Sequence, residues 1–213
     1  NTLLQTLYHL AGRRLASGKD YEQAEQQRLA KLMQEAREQL PLKISVEELE
    51  AHFEHLTPRY FRTHSLEHIN IDLTQVNRFL KRVVNGSGSR VLEPVIAWHN
   101  QPARGHTSVK ICTWDRPGLF TTISGALAAA GLNILSARVF SRGDGIILDT
   151  FLVVNARTGG LAKRPERDTF KKLITQALLP DESPEFQTQI DTLAKRGAPA
   201  EGEWPTRIRI DTH

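Results

Sequence analysis

The hydrophobic periodicity of this chain changes near residues 85–90, and this change constrains the fold more than any other feature of the sequence. Before it, apolar residues recur at steps of three and four, as on one face of an amphipathic helix. After it, apolar and polar residues alternate and β-branched residues become frequent, which is typical of strands. The sequence therefore predicts an α+β fold, in which an all-helical N-terminal segment precedes a domain built around a sheet.

Residues 1–84 are predicted to form the helical segment. Ser45 is expected to cap a short acidic helix that Pro58 closes. The clearest element is a long amphipathic helix after Ser65, with apolar residues at helical spacing: Leu66, Ile69, Leu73, Val76, Phe79, Leu80 and Val83.

Residues 85–90, which read Asn-Gly-Ser-Gly-Ser-Arg, are predicted to be a flexible linker. The alternative is the glycine-serine phosphate loop of a nucleotidyltransferase. That kind of site also needs spaced carboxylates for magnesium, and no Asp-x-Asp or Asp-x-Glu pair follows the stretch. The linker interpretation is therefore favoured, and it places a domain boundary at these residues.

Residues 91–213 are predicted to form the second domain. A leading hairpin strand near Val91 and Val95 precedes six elements in the order β, α, β, β, α, β, expected at residues 106–114, 118–130, 132–141, 146–154, 165–178 and 206–211. This order is that of ferredoxin-like folds, in which two helices cover one face of a four-stranded antiparallel sheet.

The most specific motif is Asp-Arg-Pro-Gly-Leu-Phe at residues 115–120, between a predicted strand and a predicted helix. Gly118 has no Cβ, so the backbone there can approach a ligand, and the first amides of a helix attract a carboxylate. Asp115 is expected to cap that helix and also to receive an ammonium group, so that the turn would hold an α-amino acid at both ends. Asn133, at the start of the next strand, can both donate and accept hydrogen bonds. A purely structural strand-to-helix turn remains equally open on physical grounds.

No catalytic constellation is found, and no metal site or cofactor is expected. His52 and His55, and likewise His64 and His68, are spaced so that two imidazoles share a helix face, but no third ligand completes a recognised metal pattern. These histidines are expected to be exposed or partly packed. Cys112 is the only cysteine and is predicted to be a buried, inert thiol in a strand, which favours a reducing cytoplasm.

The net charge of +4 is concentrated in the middle of the chain, where residues 90–180 hold twelve Lys and Arg against six Asp and Glu. This excess predicts a solvated basic surface, not a nucleic-acid site, because basic residues are not clustered with aromatic ones. An RNA-binding sheet would need two or three aromatics on central strands, and Phe140 and Phe151 lack the basic, glycine-rich context of such a motif. No apolar run is long enough to span a membrane.

The stretch at residues 107–153 resembles the first ACT domain of the bifunctional uridylyltransferase and uridylyl-removing enzymes, which modify the nitrogen regulator PII. The resemblance is carried by the motif at residues 115–120 and by four short motifs after it: Asn133-Ile134, Ala137-Arg138, Asp144-Gly145 and Asp149-Thr150-Phe151. It implies a ferredoxin-like ACT domain that senses an amino acid, glutamine in this family. The ligand contacts it implies are Asp115, Arg116, Gly118, Leu119, Asn133 and Ile134.

The same resemblance implies a longer parent protein, and the start at Asn1 favours the same interpretation. The helical segment would connect a preceding hydrolase domain to the ACT domain, and a nucleotidyltransferase domain would stand further upstream, with magnesium in the catalytic domains. Residues 206–211 would be either the last strand of the first ACT domain or the lead-in to a second one. Because ACT sites usually form between two such domains, this chain would hold half a pocket. A ligand-free dimerisation module is the alternative.

Overall fold

A computed structural model describes residues 23–85 and 93–178 of the chain. The Cα packing divides the chain into two compact units, and the division falls between Thr74 and Gln75, inside a long helix. The predicted linker at residues 85–90 lies almost entirely outside the described residues, so the predicted boundary stays a prediction.

The N-terminal unit is helical. Residues 23–38 form α1, followed by α2 (Val46–His55), α3 (Pro58–Thr63) and the first part of α4 (Leu66–Asn85). Ser45 caps α2 as predicted, since its hydroxyl accepts a hydrogen bond from the Glu48 backbone while the Glu48 side chain accepts one from the Ser45 backbone. Pro58, expected only to close α2, is the first residue of α3, where its missing N–H costs nothing.

The C-terminal unit contains an antiparallel sheet of four described strands. The strands are β1 (Val95–Gln101), β2 (His106–Trp114), β3 (Leu132–Arg138) and β4 (Ile146–Asn155), and their spatial order is β1-β2-β4-β3. Between β2 and β3 lies α5 (Leu119–Ala129), and α6 (Arg164–Leu178) follows β4. This sheet with its helices is consistent with a ferredoxin-like fold, so the predicted fold class is confirmed.

The leading strand pairs with β2 as the predicted hairpin requires, and it lies at the edge that a ferredoxin-like sheet gives to its last strand. In a β-α-β-β-α-β sheet the last strand pairs with the first, but here β1 pairs with β2 along its whole length, from Val95 opposite Cys112 to Gln101 opposite His106. The hairpin strand therefore fills that edge of the sheet. The predicted strand at residues 206–211 lies outside the described residues.

The core of this unit lies between the sheet and its two helices. Val109, Ile111, Phe151 and Val153 of β2 and β4 are fully buried on the face that α5 and α6 cover. The two helices and the residue after α5 contribute the other apolar side chains of this core: Leu119, Ile123, Ala126, Leu127, Ala130, Phe170, Leu173, Ile174 and Leu178. None of the helices in the described part of the chain combines the length and hydropathy of a membrane-spanning segment.

Candidate functional site

The turn between β2 and α5 opens at Gly118. Gly118 is the N-cap of α5 with φ 75°, in the left-handed region, and no side chain caps the helix. The prediction that Asp115 caps α5 is therefore wrong, since the glycine itself takes the capping position three residues later. A Cβ on Gly118 would meet no atom of the described residues within 4 Å, so with respect to residues 23–85 and 93–178 the space in front of this turn is open.

Three backbone N–H donors at this turn have no acceptor among the described residues. The Leu119 N–H bonds to the Arg116 oxygen at 3.2 Å, and the Thr122 N–H bonds to the Gly118 oxygen at 3.0 Å. In the described part of the chain, no acceptor is found for the N–H groups of Gly118, Phe120 and Thr121. Free amides at the positive end of a helix form a site that suits a carboxylate.

Asp115 and Gly118 face solvent, whereas the other two predicted contacts of the turn have structural roles. The exposed Asp115 side chain accepts a hydrogen bond of 3.2 Å from the Ser141 hydroxyl, and its backbone N–H bonds to the Gly145 oxygen at 2.7 Å. Arg116 donates from Nη1 to the Leu178 oxygen at 3.0 Å. Leu119 is 5% exposed and belongs to the core, so only its backbone can be near a ligand.

Asn133 and Ile134 lie at the opposite end of the sheet from this turn. Asn133 is exposed and pairs with Val154 of β4, whereas Trp114, which directly precedes Asp115, pairs with Ile146. The eight steps along β4 from Ile146 to Val154 span about 26 Å. One domain therefore does not bring the predicted contacts together around a single amino acid. A site that uses both groups needs a second domain.

The buried carboxyl of Asp149, near this turn, is not among the site residues that the sequence predicts. Asp149 of β4 is 2% exposed, and its Oδ1 has no hydrogen-bond partner among the residues that the structure describes. Burial raises the pKa of this carboxyl to about 7, opposed by a hydrogen bond from the Phe140 backbone and assisted by the negative charge of Asp115. The available signal was an acidic residue in the middle of an otherwise apolar strand. A perturbed carboxyl next to a predicted ligand contact strengthens the case for a functional turn.

Comparison with known proteins identifies the domain that carries this turn. A family model described as ACT domain matches residues 107–164, from the start of β2 to the start of α6. These residues are similar to an ACT domain, and residues 107–164 are called the ACT domain for that reason. The expected resemblance is confirmed, because several curated proteins named bifunctional uridylyltransferase/uridylyl-removing enzyme match parts of the chain, one of them over 83% of its length.

Three of these relatives show how far the similarity extends. The enzyme from Zymomonas mobilis is 43% identical over 68 residues, which is 32% of this chain and 7% of the relative. The enzyme from Azospirillum brasilense is 32% identical over 115 residues, covering 52% of this chain and 12% of the relative. The enzyme from Vibrio campbellii is 26% identical over 178 residues, which is 83% of this chain and 19% of the relative. The chain thus spans less than a fifth of the length of these relatives, and its ACT domain supports a regulatory role.

Two histidines of the helical unit, His52 and His64, form part of a buried polar cluster. The Tyr60 hydroxyl donates to Asp72 Oδ2 at 2.8 Å and lies 3.3 Å from His52 Nε2, and His64 Nε2 lies 3.8 Å from the same Asp72 oxygen. His52 and His64 are buried more deeply than the sequence predicted, at 0% and 8% exposure. No group of three or more His, Cys, Asp or Glu suited to a metal is found among residues 23–85 and 93–178. Cys112 is buried, as predicted.

Proposed function

We propose that this ACT domain senses a small amino acid, with glutamine as the first candidate, and that two ACT domains build the site together. The observation that carries the proposal is that one turn presents two features: the N–H donors of Gly118, Phe120 and Thr121, which have no acceptor among the described residues, and the exposed carboxylate of Asp115. The donors suit the carboxylate of an α-amino acid, and Asp115 suits its ammonium group.

The neighbouring domain would supply Asn133. Because Asn133 lies about 26 Å along the sheet from the turn of its own domain, it can reach a ligand only at the turn of a partner. Within the described residues β3 is the outer strand of the sheet on this side, and it exposes Leu135 at 41% and nearby Val139 at 37%. An outer strand with exposed apolar side chains favours pairing with a second domain.

Binding of the amino acid would then favour one packing of the ACT pair over another. A ligand shifts such an equilibrium only by its difference in affinity for the two arrangements, and couplings of about 1 to 3 kcal/mol are typical of allosteric control. The parent would be a cytoplasmic uridylyltransferase/uridylyl-removing enzyme that acts on PII. In it, this shift would regulate the magnesium-dependent catalytic domains according to the supply of nitrogen.

Calorimetric titration with glutamine of a protein that carries both ACT domains tests the proposal. We expect heat that saturates in the millimolar range or below, no comparable heat with a glutamine analogue that lacks the ammonium group, and weaker binding for Asp115→Asn. The absence of heat at millimolar glutamine and at millimolar concentrations of other small amino acids would refute it.

A ligand-free dimerisation module is the second candidate, favoured by the exposed Leu135 and Val139 beside β3. Sedimentation of the Leu135→Lys variant separates the two ideas when combined with the titration. A dimerisation module loses its dimer in this variant and gives no heat with any amino acid in the native protein. A sensor gives heat in the native protein and loses it when the pairing is lost.

A further inference from the structure

A large basic cavity lies away from the β2–α5 turn, in the C-terminal unit. It has a volume of about 1430 Å³ and is lined by the second half of α4, the start of β1, the loop after β4 and the first turns of α6. Seven cationic side chains line it, against the two carboxylates of Glu93 and Asp168. Such an excess of one charge in a concave site attracts anions.

Four of the seven cations are available to a ligand. Arg78, Lys81, Lys163 and Lys171 are exposed, and none of them has an acidic partner within the described ranges. The two acidic side chains are already matched, since Glu93 lies 3.9 Å from Arg82 and Asp168 lies 3.5 Å from Arg164. The unmatched charge is therefore contributed by α4, the loop after β4 and α6, which surround the cavity.

Two guanidinium groups are held in place at the cavity wall. Arg167 donates from Nη2 and Nε to the Ala162 oxygen at 2.8 and 3.2 Å, also bonds to the Asn100 side chain, and lies 5.3 Å from the Trp98 ring centroid. Arg82 donates from Nη1 to the oxygens of Glu93 and Pro94, each at 3.2 Å. Each keeps a second terminal nitrogen without an acceptor in the described structure. Positioned guanidinium groups of this kind bind phosphate well.

One wall of the same cavity is apolar. Pro94, Ile96 and Leu161 line it together with the indole of Trp98, which is half-buried and meets the Phe170 ring edge to face at 5.6 Å between centroids. A simple anion would use the cations and leave this wall in water. The best match is a ligand with several negative charges at one end and a flat apolar group at the other.

We propose that this cavity binds a nucleoside triphosphate, with the phosphates on the free cations and the base against the wall formed by Trp98 and Ile96. The cavity exceeds the usual range of about 300 to 1,000 Å³ for ligand pockets, so space does not limit a ligand of this size. The inference is independent of amino-acid sensing at the β2–α5 turn. It adds a second class of small molecule that the C-terminal unit would bind.

Lys171 and Lys172 provide a matched test. Both are exposed residues of α6, but only Lys171 lines the cavity. Titration of the full chain at about 0.15 M salt with ATP, UTP and inorganic triphosphate is followed by calorimetry, because this ionic strength screens distant charges. We expect both nucleotides to bind at least about tenfold more tightly than inorganic triphosphate, and Lys171→Glu to weaken nucleotide binding by about tenfold while Lys172→Glu does not.

Each other outcome overturns the proposal. Equal losses of nucleotide affinity in the two variants would show that binding depends only on net charge. Equal affinity for nucleotide and inorganic triphosphate would show that the apolar wall does not contact the ligand. Competition by a single-stranded oligonucleotide at far lower concentration than ATP would assign the cavity to nucleic acid. Both substitutions are on the surface of α6, and circular dichroism verifies that each variant is folded.

Discussion

The guanidinium of Arg116 donates a hydrogen bond to the backbone oxygen of Leu178, 3.0 Å away, and so joins the turn before α5 to the C-terminal end of α6. A cation at a helix C-terminus also interacts favourably with the partial negative charge of the last carbonyl groups. The family resemblance made Arg116 a ligand contact. Its geometry in this domain gives it a structural role.

Replacing Arg116 with Ala is expected to destabilise the ACT domain. The hydrogen bond from a charged donor is lost, and we expect the free energy of unfolding to fall by about 1 to 3 kcal/mol. Urea denaturation measures the change, with Arg138→Ala as the control because Arg138 is exposed on β3. An Arg116→Ala protein of unchanged stability that fails to bind glutamine would make Arg116 a ligand contact after all.

Substitutions at Gly118 and Gly105 test the role of the open turn, because a side chain at either position has a similar free-energy cost for the left-handed backbone. Both have left-handed backbone, with φ 75° and 71°, and a Cβ on either would meet no atom within 4 Å. Asn tolerates this conformation, so Gly118→Asn and Gly105→Asn are each expected to cost about 1 kcal/mol or less. Only Gly118→Asn should weaken glutamine binding, because its side chain enters the space in front of the free amides. Equal binding by the two variants in calorimetry would show that the turn is purely structural.

Much of the fold follows from patterns in the sequence because those patterns are local. Helical spacing of apolar residues predicts which sides of α5 and α6 are buried. The full burial of Ile123 and Leu127 on α5, and of Phe170 and Ile174 on α6, agrees with that prediction. The hairpin pairing of β1 with β2 is also predicted from the sequence and is confirmed. The sequence does not predict that β1 fills the edge expected for the last strand, because alternation with a period of two is the same at every position in a sheet.

The site was predicted only in part for a related reason. Gly118 stands out in a sequence, but the capping role given to Asp115 assumed that a polar side chain fills every N-cap, whereas a left-handed glycine ends the turn unaided. The separation of Asn133 from the turn follows once α5 is known to lie between them. Asp149 is visible in the sequence only as an acidic residue within an apolar strand, because burial of its carboxyl is a property of the assembled sheet.

The buried cluster of the helical unit is expected to contribute to stability through Tyr60. Its hydroxyl donates to Asp72 Oδ2 at 2.8 Å and lies 3.3 Å from His52 Nε2. Tyr60→Phe removes the donor to a buried carboxylate, and we expect a loss of about 1 to 3 kcal/mol. A double-mutant cycle with Asp72→Asn isolates the pair, and a coupling energy indistinguishable from zero would contradict a direct interaction.

The carboxyl of Asp149 predicts how the stability of the ACT domain changes with pH. Its pKa is raised from 3.8 to about 7, chiefly by burial, so between these values the folded state binds more protons than the unfolded state. Stability attributable to this group is therefore fully present below about pH 4, falls as the pH rises, and is lost above about pH 7.

Asp149→Asn should remove this dependence, because an amide of nearly the same shape carries no charge at any of these pH values. A shift of this size corresponds to at most about 4 kcal/mol, so the variant should match the native protein near pH 4 and exceed its stability by up to that amount at pH 8. Urea denaturation at pH 4.5, 6 and 8 measures the difference, with Asp168→Asn as the control because the Asp168 side chain is 69% exposed. A difference between the native protein and Asp149→Asn that stays constant across this range would mean that the carboxyl remains ionised in the folded domain.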